Sequence, residues 1–235
     1  MINYAHRGAS EYAPENTMSS FYLGLMQGAN GIETDVQRTK DGVLVLFHDD
    51  TVDRVSDGSG RLSDFTLAEL KNLKIFGNNT CGFYDRIPTF EGFLEKFSTY
   101  DLSFAIELKG ADVEKEALEM VKRFGVFEKT TFTSFKFDYI KRIKELDPSA
   151  RVGFLTQDTT DEHIELLMSI GGEEIAPKAS ELTEESIAFY RSRGLGVRAW
   201  GVQSIELMKK MCTLKVDGMT VNFPDRLFQY LNSMK

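Results

Sequence analysis

Short apolar runs alternate with amphipathic segments at regular spacing through much of this sequence. Strand-like runs at 102–108, 130–134, 151–155, 174–177, 196–201 and 217–221 are each followed by a helix-like segment, at 113–124, 137–146, 161–169, 183–193, 204–211 and 224–231. The first half adds strands at 2–5 and 31–38, with helices at 14–27 and 89–97. Short strands that alternate with amphipathic helices are typical of a parallel sheet. Eight such units predict an α/β chain folded as a closed (β/α)8 TIM barrel.

An open, doubly wound sheet is the alternative arrangement of the same elements. Such a sheet would be expected to carry a glycine-rich phosphate-binding turn after an early strand, and this sequence has none. The region from about 50 to 100 breaks the regular alternation, because it is rich first in Asp, Ser and Gly and then in aromatic residues. We therefore expect one barrel domain over residues 1–235, with a small insertion at about 50–100 after the second strand.

Local signals define the elements of the first half. The helix predicted at 14–27 has an acidic residue, Glu15, that suits the dipole of its first turn, and Gly28 is expected to end it. Asp41-Gly42 is a tight-turn signal. It predicts a hairpin that joins the strand at 31–38 to an apolar strand at 43–47.

Composition narrows the class of protein and partner. The formal net charge is −8, from 36 acidic and 28 basic residues, which argues against a nucleic-acid partner. Cys81 and Cys212 lie far apart and are expected to be free thiols. No signal peptide and no run of ~20 apolar residues is evident, so we expect a cytoplasmic protein without stable membrane insertion. The sequence does not decide between a monomer and a homo-oligomer.

Side chains with acid, base or metal-binding chemistry follow several predicted strands. The C-terminal strand ends of a barrel face one mouth, where such groups can meet. Residues two apart on a strand share a face, so Glu33 and Asp35 point together, as do Glu107 and Lys109. A Glu-x-Asp pair on a strand is more often a solvated face, but this pair lies in an apolar run. The side chains brought to the mouth are His6, Arg7, Glu33, Asp35, His48, Glu107 and Lys109.

These residue types together predict metal-assisted phosphoryl chemistry. Three carboxylates in one cavity repel one another unless a cation compensates their charge, and oxygen ligands alone suit one divalent cation, Mg²⁺ or Ca²⁺. Histidine changes charge near neutral pH, so His6 and His48 are the candidate general acid and base. Arg7 can bind a phosphate oxygen through two hydrogen bonds, and Lys109 can supply a point charge. Gly8 would keep the backbone small where a substrate approaches.

Structural roles compete with these assignments. A histidine at a strand end is more often a hydrogen-bonded structural residue than a catalyst. Glu15 and Asn16 suit a helix cap as well as a functional role. Asp49 and Arg54 are expected to orient the loop that follows His48.

The ordered set of motifs resembles the glycerophosphodiester phosphodiesterase family, and it spans nearly the whole chain. The shared pieces are His6-Arg7-Gly8-Ala9, Pro14-Glu15-Asn16-Thr17, Glu33-Thr34-Asp35-Val36, Asp41-Gly42, Val45-Leu46-Phe47-His48-Asp49, Asp53-Arg54, Ile106-Glu107-Leu108-Lys109, Val197-Arg198-Ala199-Trp200, Val216-Asp217-Gly218 and Thr220-Val221-Asn222-Phe223-Pro224-Asp225. One departure is Ala199, where many members carry a polar residue, so the details of the pocket stay open.

The resemblance implies a fold, a reaction and a set of roles. It implies a (β/α)8 barrel that hydrolyses glycerophosphodiesters, such as glycerophosphocholine or glycerophosphoethanolamine, to sn-glycerol 3-phosphate and an alcohol. Trp200 would line the glycerol pocket, with a core aromatic as the alternative, and Phe76, Phe83 and Tyr84 are candidates for headgroup contacts or for packing. The implied metal ligands are Glu33, Asp35 and Glu107, the acid/base pair His6 and His48, and the phosphate contacts Arg7 and Lys109.

Two other functions compete with this one. A phospholipase-D-like lipid phosphodiesterase could use the same histidines and metal, but it would usually need an apolar interfacial loop or a secretion signal. A non-catalytic phosphate-binding barrel should have lost one of the histidines or carboxylates, and none is missing. The headgroup, the choice of Mg²⁺ or Ca²⁺, and direct water attack or a cyclic phosphate stay open. We favour His6 as the base and His48 as the acid.

Overall fold

Parallel strands close into a barrel in the computed structural model, which describes residues 1–77 and 83–234. The strands are β1 Ile2–His6, β2 Gly31–Arg38, β3 Leu44–Leu46, β4 Ile75–Phe76, β5 Tyr84–Asp85, β6 Ser103–Leu108, β7 Thr130–Ser134, β8 Arg151–Thr156, β9 Glu174–Pro177, β10 Gly196–Val202 and β11 Gly218–Val221. The barrel order is β1, β2, then β6 to β11, all parallel, and β11 pairs with β1 to close it. The predicted TIM barrel is confirmed.

Helices follow the barrel strands along the chain. They are α1 Met18–Met26, α2 Leu67–Leu70, α3 Phe90–Phe97, α4 Glu114–Arg123, α5 Phe137–Leu146, α6 Asp161–Ser169, α7 Glu184–Ser192, α8 Ile205–Thr213 and α9 Pro224–Ser233. The predicted spans of β2, β7 and β9 and of helices α5 and α6 coincide with those observed, and most other boundaries differ by one or two residues. Within the described residues, no helix is both long and apolar enough to cross a bilayer.

The first helix is the main correction to the predicted boundaries, because it starts at Met18 rather than at residue 14. Thr17 is its N-cap and exchanges hydrogen bonds with Ser20 in a capping box. Asn16 has a left-handed backbone (φ 54°), and its N–H donates to the Arg7 carbonyl oxygen at 2.9 Å. The segment 7–16 therefore folds back over the end of β1, and the predicted dipole role of Glu15 was wrong.

A hairpin precedes the predicted irregular region at about 50–100, and a small apolar core lies under both. β3 pairs antiparallel with β2 through the Asp41-Gly42 turn, as the sequence predicted. β4 and β5 form a separate two-stranded ladder, and one aromatic residue next to it, Phe83, is 52% exposed. Cys212 is a buried free thiol, whereas Cys81 lies outside the described residues. The apolar cluster under this region is Val45, Phe47, Val52, Val55, Leu62, Leu70, Ile75 and Ile87.

Gly8 is required by helix packing. It has a left-handed backbone (φ 82°), and a Cβ there would lie 2.4 Å from the Ser20 backbone carbon and from Ser20 Oγ. Ser20 Oγ also donates to the Arg7 carbonyl oxygen at 2.8 Å. The neighbour that excludes a side chain is thus the first turn of α1, a reason that the sequence did not predict.

We expect Gly8→Ala to destabilise the protein more than a matched glycine replacement. Gly125 is also left-handed (φ 71°), but a Cβ added there would meet no atom of the described residues within 4 Å. Gly125→Ala should cost only the backbone term of about 1–2 kcal/mol. Gly8→Ala should add overpacking of about 1–3 kcal/mol. Urea unfolding of the two variants measures the difference, and equal losses would contradict the packing role of Gly8.

Candidate active site

Strand register brings the candidate side chains together at the C-terminal end of the barrel. His6 at the end of β1 is the register partner of Glu33 on β2. Asp35 on β2 is the register partner of Glu107 on β6. Glu33 and Asp35 are two residues apart and share the inward face. One ligand oxygen from each of the three carboxylates lies within 4.8 Å of the others.

The three carboxyl groups are buried, and their pKa values are shifted in different directions. Burial, together with the negative charges of Asp35 and Glu107, raises the pKa of Glu33 well above its usual value. Burial and Asp35 raise the pKa of Glu107 to about 7. Burial opposes ionisation of Asp35 too, but the cations Arg7 and Lys109 hold the pKa of Asp35 well below its usual range. Full ionisation of the cluster would therefore place three negative charges against two cations, and the raised pKa values of Glu33 and Glu107 reflect that cost.

Both predicted phosphate-binding cations contact these carboxylates. Lys109 Nζ donates to Glu107 Oε1 at 3.0 Å and lies 3.6 Å from Asp35 Oδ1. Arg7 Nε lies 3.3 Å from Asp35 Oδ2. The Arg7 backbone N–H also donates to Glu33 Oε2 at 3.2 Å. The two cations thus approach the cluster from the ends of β1 and β6.

Asn16 belongs to this cluster and does not cap α1. Its Nδ2 donates to Asp35 Oδ2 at 2.8 Å, and its Oδ1 accepts from Thr34 Oγ1 at 2.7 Å. The left-handed backbone of Asn16 and its burial (2% exposed) place the amide inside the barrel mouth. Asn16 therefore orients Asp35, which resolves the alternatives that the sequence left open.

The carboxylate cluster fits a divalent cation. Asp35 Oδ1 is buried and has no hydrogen-bond partner among residues 1–77 and 83–234. A buried carboxylate oxygen without a partner is costly, and cation coordination would satisfy it. Three carboxylates without nitrogen or sulfur donors suit Mg²⁺ or Ca²⁺. The donor set therefore matches the predicted cation site at Glu33, Asp35 and Glu107.

The two candidate histidines have different partners. His6 Nδ1 lies 2.6 Å from Asn222 Oδ1, and His48 Nδ1 is hydrogen-bonded to Asp49 Oδ1. Both partners are oxygens that can only accept from a ring N–H, so each Nδ1 carries a hydrogen and Nε2 is the nitrogen left for proton transfer. Burial and the adjacent Arg7 lower the pKa of His6 to about 4. His6 is thus neutral beside an uncharged amide, whereas His48 faces a carboxylate.

A cavity of about 340 Å³ joins most of these residues. Trp200 and Phe135 form part of its wall, with ring centroids 5.1 Å apart at 90°. Trp200 is half-buried, and its Nε1–H donates to the Thr156 carbonyl oxygen at 3.0 Å. The predicted site residues that line this cavity are His6, Arg7, Glu33, His48, Glu107 and Trp200.

Two further residues at the site were not assigned by the sequence. Asn222 lies 216 positions from His6, and only closure of the barrel between β11 and β1 brings them together. Its place at the end of a predicted strand was the available signal. Arg198 is 1% exposed beside the same cavity, and its Nε donates to Glu174 Oε1 at 2.8 Å. A charged residue in a predicted inner strand was the signal for it.

Sequence comparison places these features in a known context. The sequence model described as the glycerophosphoryl diester phosphodiesterase family matches residues 6–226. A glycerophosphodiester phosphodiesterase of Caldanaerobacter subterraneus is 32% identical over 231 residues, covering 95% of this chain and 94% of that protein. A glycerophosphodiester phosphodiesterase of Bacillus altitudinis is 32% identical over 246 residues, covering 99% and 98%.

Solved structures show the same architecture. An Oleispira antarctica phosphodiesterase, in complex with the product sn-glycerol-3-phosphate, has a TM-score of 0.85 and 25% identity, covering 97% of this chain and 96% of that one. A glycerophosphodiester phosphodiesterase from Agrobacterium tumefaciens has a TM-score of 0.84 and 26% identity, covering 96% and 98%. The chain is similar to both over nearly its full length.

We expect a divalent cation to stabilise the protein through the carboxylate cluster. Mg²⁺ or Ca²⁺ at ~100 times its dissociation constant should add about 2.7 kcal/mol, or roughly 5–10 °C in Tm for a domain of this size. Glu33→Gln should remove this increase and should raise Tm in EDTA, because a neutral amide avoids the cost of burying an ionisable carboxyl group beside Asp35 and Glu107. The exposed Glu128→Gln is the control. A Glu33→Gln protein that responds to the cation as the wild type does would contradict the site.

Proposed function

The chain belongs to the glycerophosphoryl diester phosphodiesterase family and is a phosphodiesterase, and we propose that it hydrolyses glycerophosphodiesters with the help of a divalent cation. The products would be sn-glycerol 3-phosphate and the alcohol of the headgroup. In this reaction, the bond between phosphorus and the headgroup oxygen breaks, water supplies the new oxygen, and the alcohol leaves with a proton.

One observation carries the proposal. Two histidines, each with Nδ1 already hydrogen-bonded, line a cavity together with Arg7 and carboxylates of the buried cluster. A diester substrate needs a base, an acid and positive charge around one phosphorus atom, and these groups supply all three. The Oleispira antarctica relative supports the choice of product, because it was solved with sn-glycerol-3-phosphate bound.

We assign binding of the substrate to the cations and the aromatic wall. Arg7 and Lys109 would hold phosphate oxygens, since both lie beside the carboxylates that would hold the cation. A cation held by Glu33, Asp35 and Glu107 would polarise a phosphate oxygen and stabilise the charge that develops on it. Trp200, which lines the same cavity, would contact the glycerol carbons.

The partners of the two histidines support a direction of proton transfer. Asn222 is uncharged and offers His6 only a hydrogen-bond acceptor, which leaves Nε2 free to take a proton. Asp49 is a carboxylate and stabilises the positive charge of a protonated His48 ring. We therefore propose His6 as the general base and His48 as the general acid that protonates the departing alcohol.

Two nucleophiles are compatible with these roles. His6 could deprotonate a water molecule that attacks phosphorus directly. It could instead deprotonate the 2-hydroxyl of the substrate, which would form a cyclic phosphate that water then opens. A substrate without the 2-hydroxyl separates these routes, because only the direct route allows its hydrolysis.

Replacement of the histidines should separate their roles. His6→Ala and His48→Ala should each lower turnover of glycerophosphocholine by ~10²–10⁴-fold, the usual contribution of a positioned acid or base. p-Nitrophenolate leaves without protonation, so a p-nitrophenyl diester should restore most turnover to His48→Ala but not to His6→Ala. Steady-state kinetics with both substrates give the test. Rescue of His6→Ala instead would reverse the two roles. Normal turnover in either variant would rule out His6 and His48 as the acid/base pair.

A substrate panel tests the reaction class. We expect release of sn-glycerol 3-phosphate from several headgroup diesters in Mg²⁺ or Ca²⁺, and its loss in EDTA. The corresponding lysophospholipids should react poorly. A phospholipase-D-like enzyme would instead prefer them. Enzymatic detection of sn-glycerol 3-phosphate measures each rate. Preference for the lipids would favour the lipid phosphodiesterase, and a lack of any turnover would favour a phosphate-binding protein.

A further inference from the structure

Arg54 holds two carboxylates from different segments with one guanidinium group. Its Nη1 and Nη2 donate to Glu15 Oε2 and Oε1 at 2.9 and 2.7 Å. Its Nε donates to Asp49 Oδ2, and its Nη2 also donates to Asp49 Oδ1 at 3.1 Å. Both pairs are two-point contacts, which fix orientation as well as distance. The guanidinium plane therefore sets where both carboxylates lie.

Each of these carboxylates continues to a residue of the candidate active site. Glu15 Oε1 also accepts from Arg7 Nη1 at 2.9 Å. Asp49 Oδ1 also bonds the His48 ring nitrogen Nδ1. Glu15 lies in the segment after β1, and Asp49 lies in the segment after β3. Arg54 thus joins the segment after β1, which carries Arg7, to the segment after β3, which carries His48.

We propose that Arg54 is a positioning residue that couples Arg7 to His48 through Glu15 and Asp49. It holds the phosphate-binding group and the proton-donating group in one geometry around the phosphorus. The inference rests on the proposed function, since it assigns both groups to one phosphodiester. Arg54 itself lies outside the set of residues that we expect to touch substrate.

The exposure of Arg54 separates this role from a purely structural one. Its side chain is 44% exposed, and those of Glu15 and Asp49 are 16% and 24% exposed. Ion pairs at such exposure usually add little to global stability. Loss of Arg54 should therefore change kinetics far more than Tm. Lysine cannot hold two carboxylates in two-point contacts, so a conserved charge alone should not restore the function.

Two links start at Arg54: one reaches Arg7 through Glu15 (the Arg7 arm), and one reaches His48 through Asp49 (the His48 arm). Each arm can be weakened separately by a near-isosteric substitution. Glu15→Gln weakens the Arg7 arm, so it should raise KM and the inhibition constant of sn-glycerol 3-phosphate with a smaller effect on kcat. Asp49→Asn weakens the His48 arm, so it should lower kcat with a smaller effect on KM. Kinetics with glycerophosphocholine, and product inhibition, measure both quantities.

Arg54→Met and Arg54→Lys test the coupling itself. Arg54→Met should lower kcat at least tenfold and raise KM at least threefold, which combines the effects of the two arms. Arg54→Lys should recover less than half of the loss. In the Arg54→Met background, Glu15→Gln should change KM, and Asp49→Asn should change kcat, by a smaller factor than each does in the wild type, because the part of each effect that passes through Arg54 is already gone.

Arg86→Met is the matched control. Arg86 is an exposed arginine of the same region and donates to two backbone carbonyl oxygens, of Asn72 and Leu73. It should leave kcat and KM within twofold of the wild type. The Tm values of Arg54→Met and Arg86→Met should agree within a few degrees.

The outcomes separate this inference from the proposed function. A wild-type protein without diesterase activity would overturn the proposed function itself. With an active wild type, Arg54→Met kinetics within twofold of it, an effect confined to one arm, or full recovery by Arg54→Lys would overturn the coupling. A loss of activity that follows a large fall in Tm would assign Arg54 to stability alone.

Discussion

The site is organised around three carboxylates held close together away from water. Glu33, Asp35 and Glu107 each place an oxygen within 4.8 Å of the others, and all three are buried. Like charges at this distance in a poorly solvated space repel strongly. The surrounding cations and amide are arranged against this repulsion: Arg7 from β1, Lys109 beyond β6, and Asn16 in a left-handed conformation.

The barrel supplies this arrangement through register and closure. Parallel pairing of β1, β2 and β6 aligns His6 with Glu33 and Asp35 with Glu107, so the cluster needs no long side-chain reach. Closure through β11 adds Asn222 from the far end of the chain. The segment after β1 must then fold back tightly over the mouth, which explains why Gly8 packs directly on α1.

The hydrophobic periodicity of the sequence was sufficient to predict the fold, because strands and helices differ in their hydrophobic repeat. The positions of the strand ends were sufficient to predict that the carboxylates lie together, since residues two apart on β2 must share a face. The start of α1 and the role of Asn16 depend on a left-handed turn stabilised by Arg7 and Asp35, which are distant in sequence. The bridge from Arg54 to Glu15 is likewise a tertiary contact, 39 positions apart, that no local pattern specifies.

Charge balance links the proposed cation to the proposed substrate. With all three carboxylates ionised, Arg7 and Lys109 leave one negative charge uncompensated, which would repel a phosphodiester. A divalent cation turns that deficit into one excess positive charge, and a singly charged diester then neutralises the site. The carboxylates Glu15 and Asp49 lie beside this cluster and are both paired with Arg54. The same carboxylates whose mutual repulsion is costly would therefore favour binding of the proposed cation before the proposed anionic substrate.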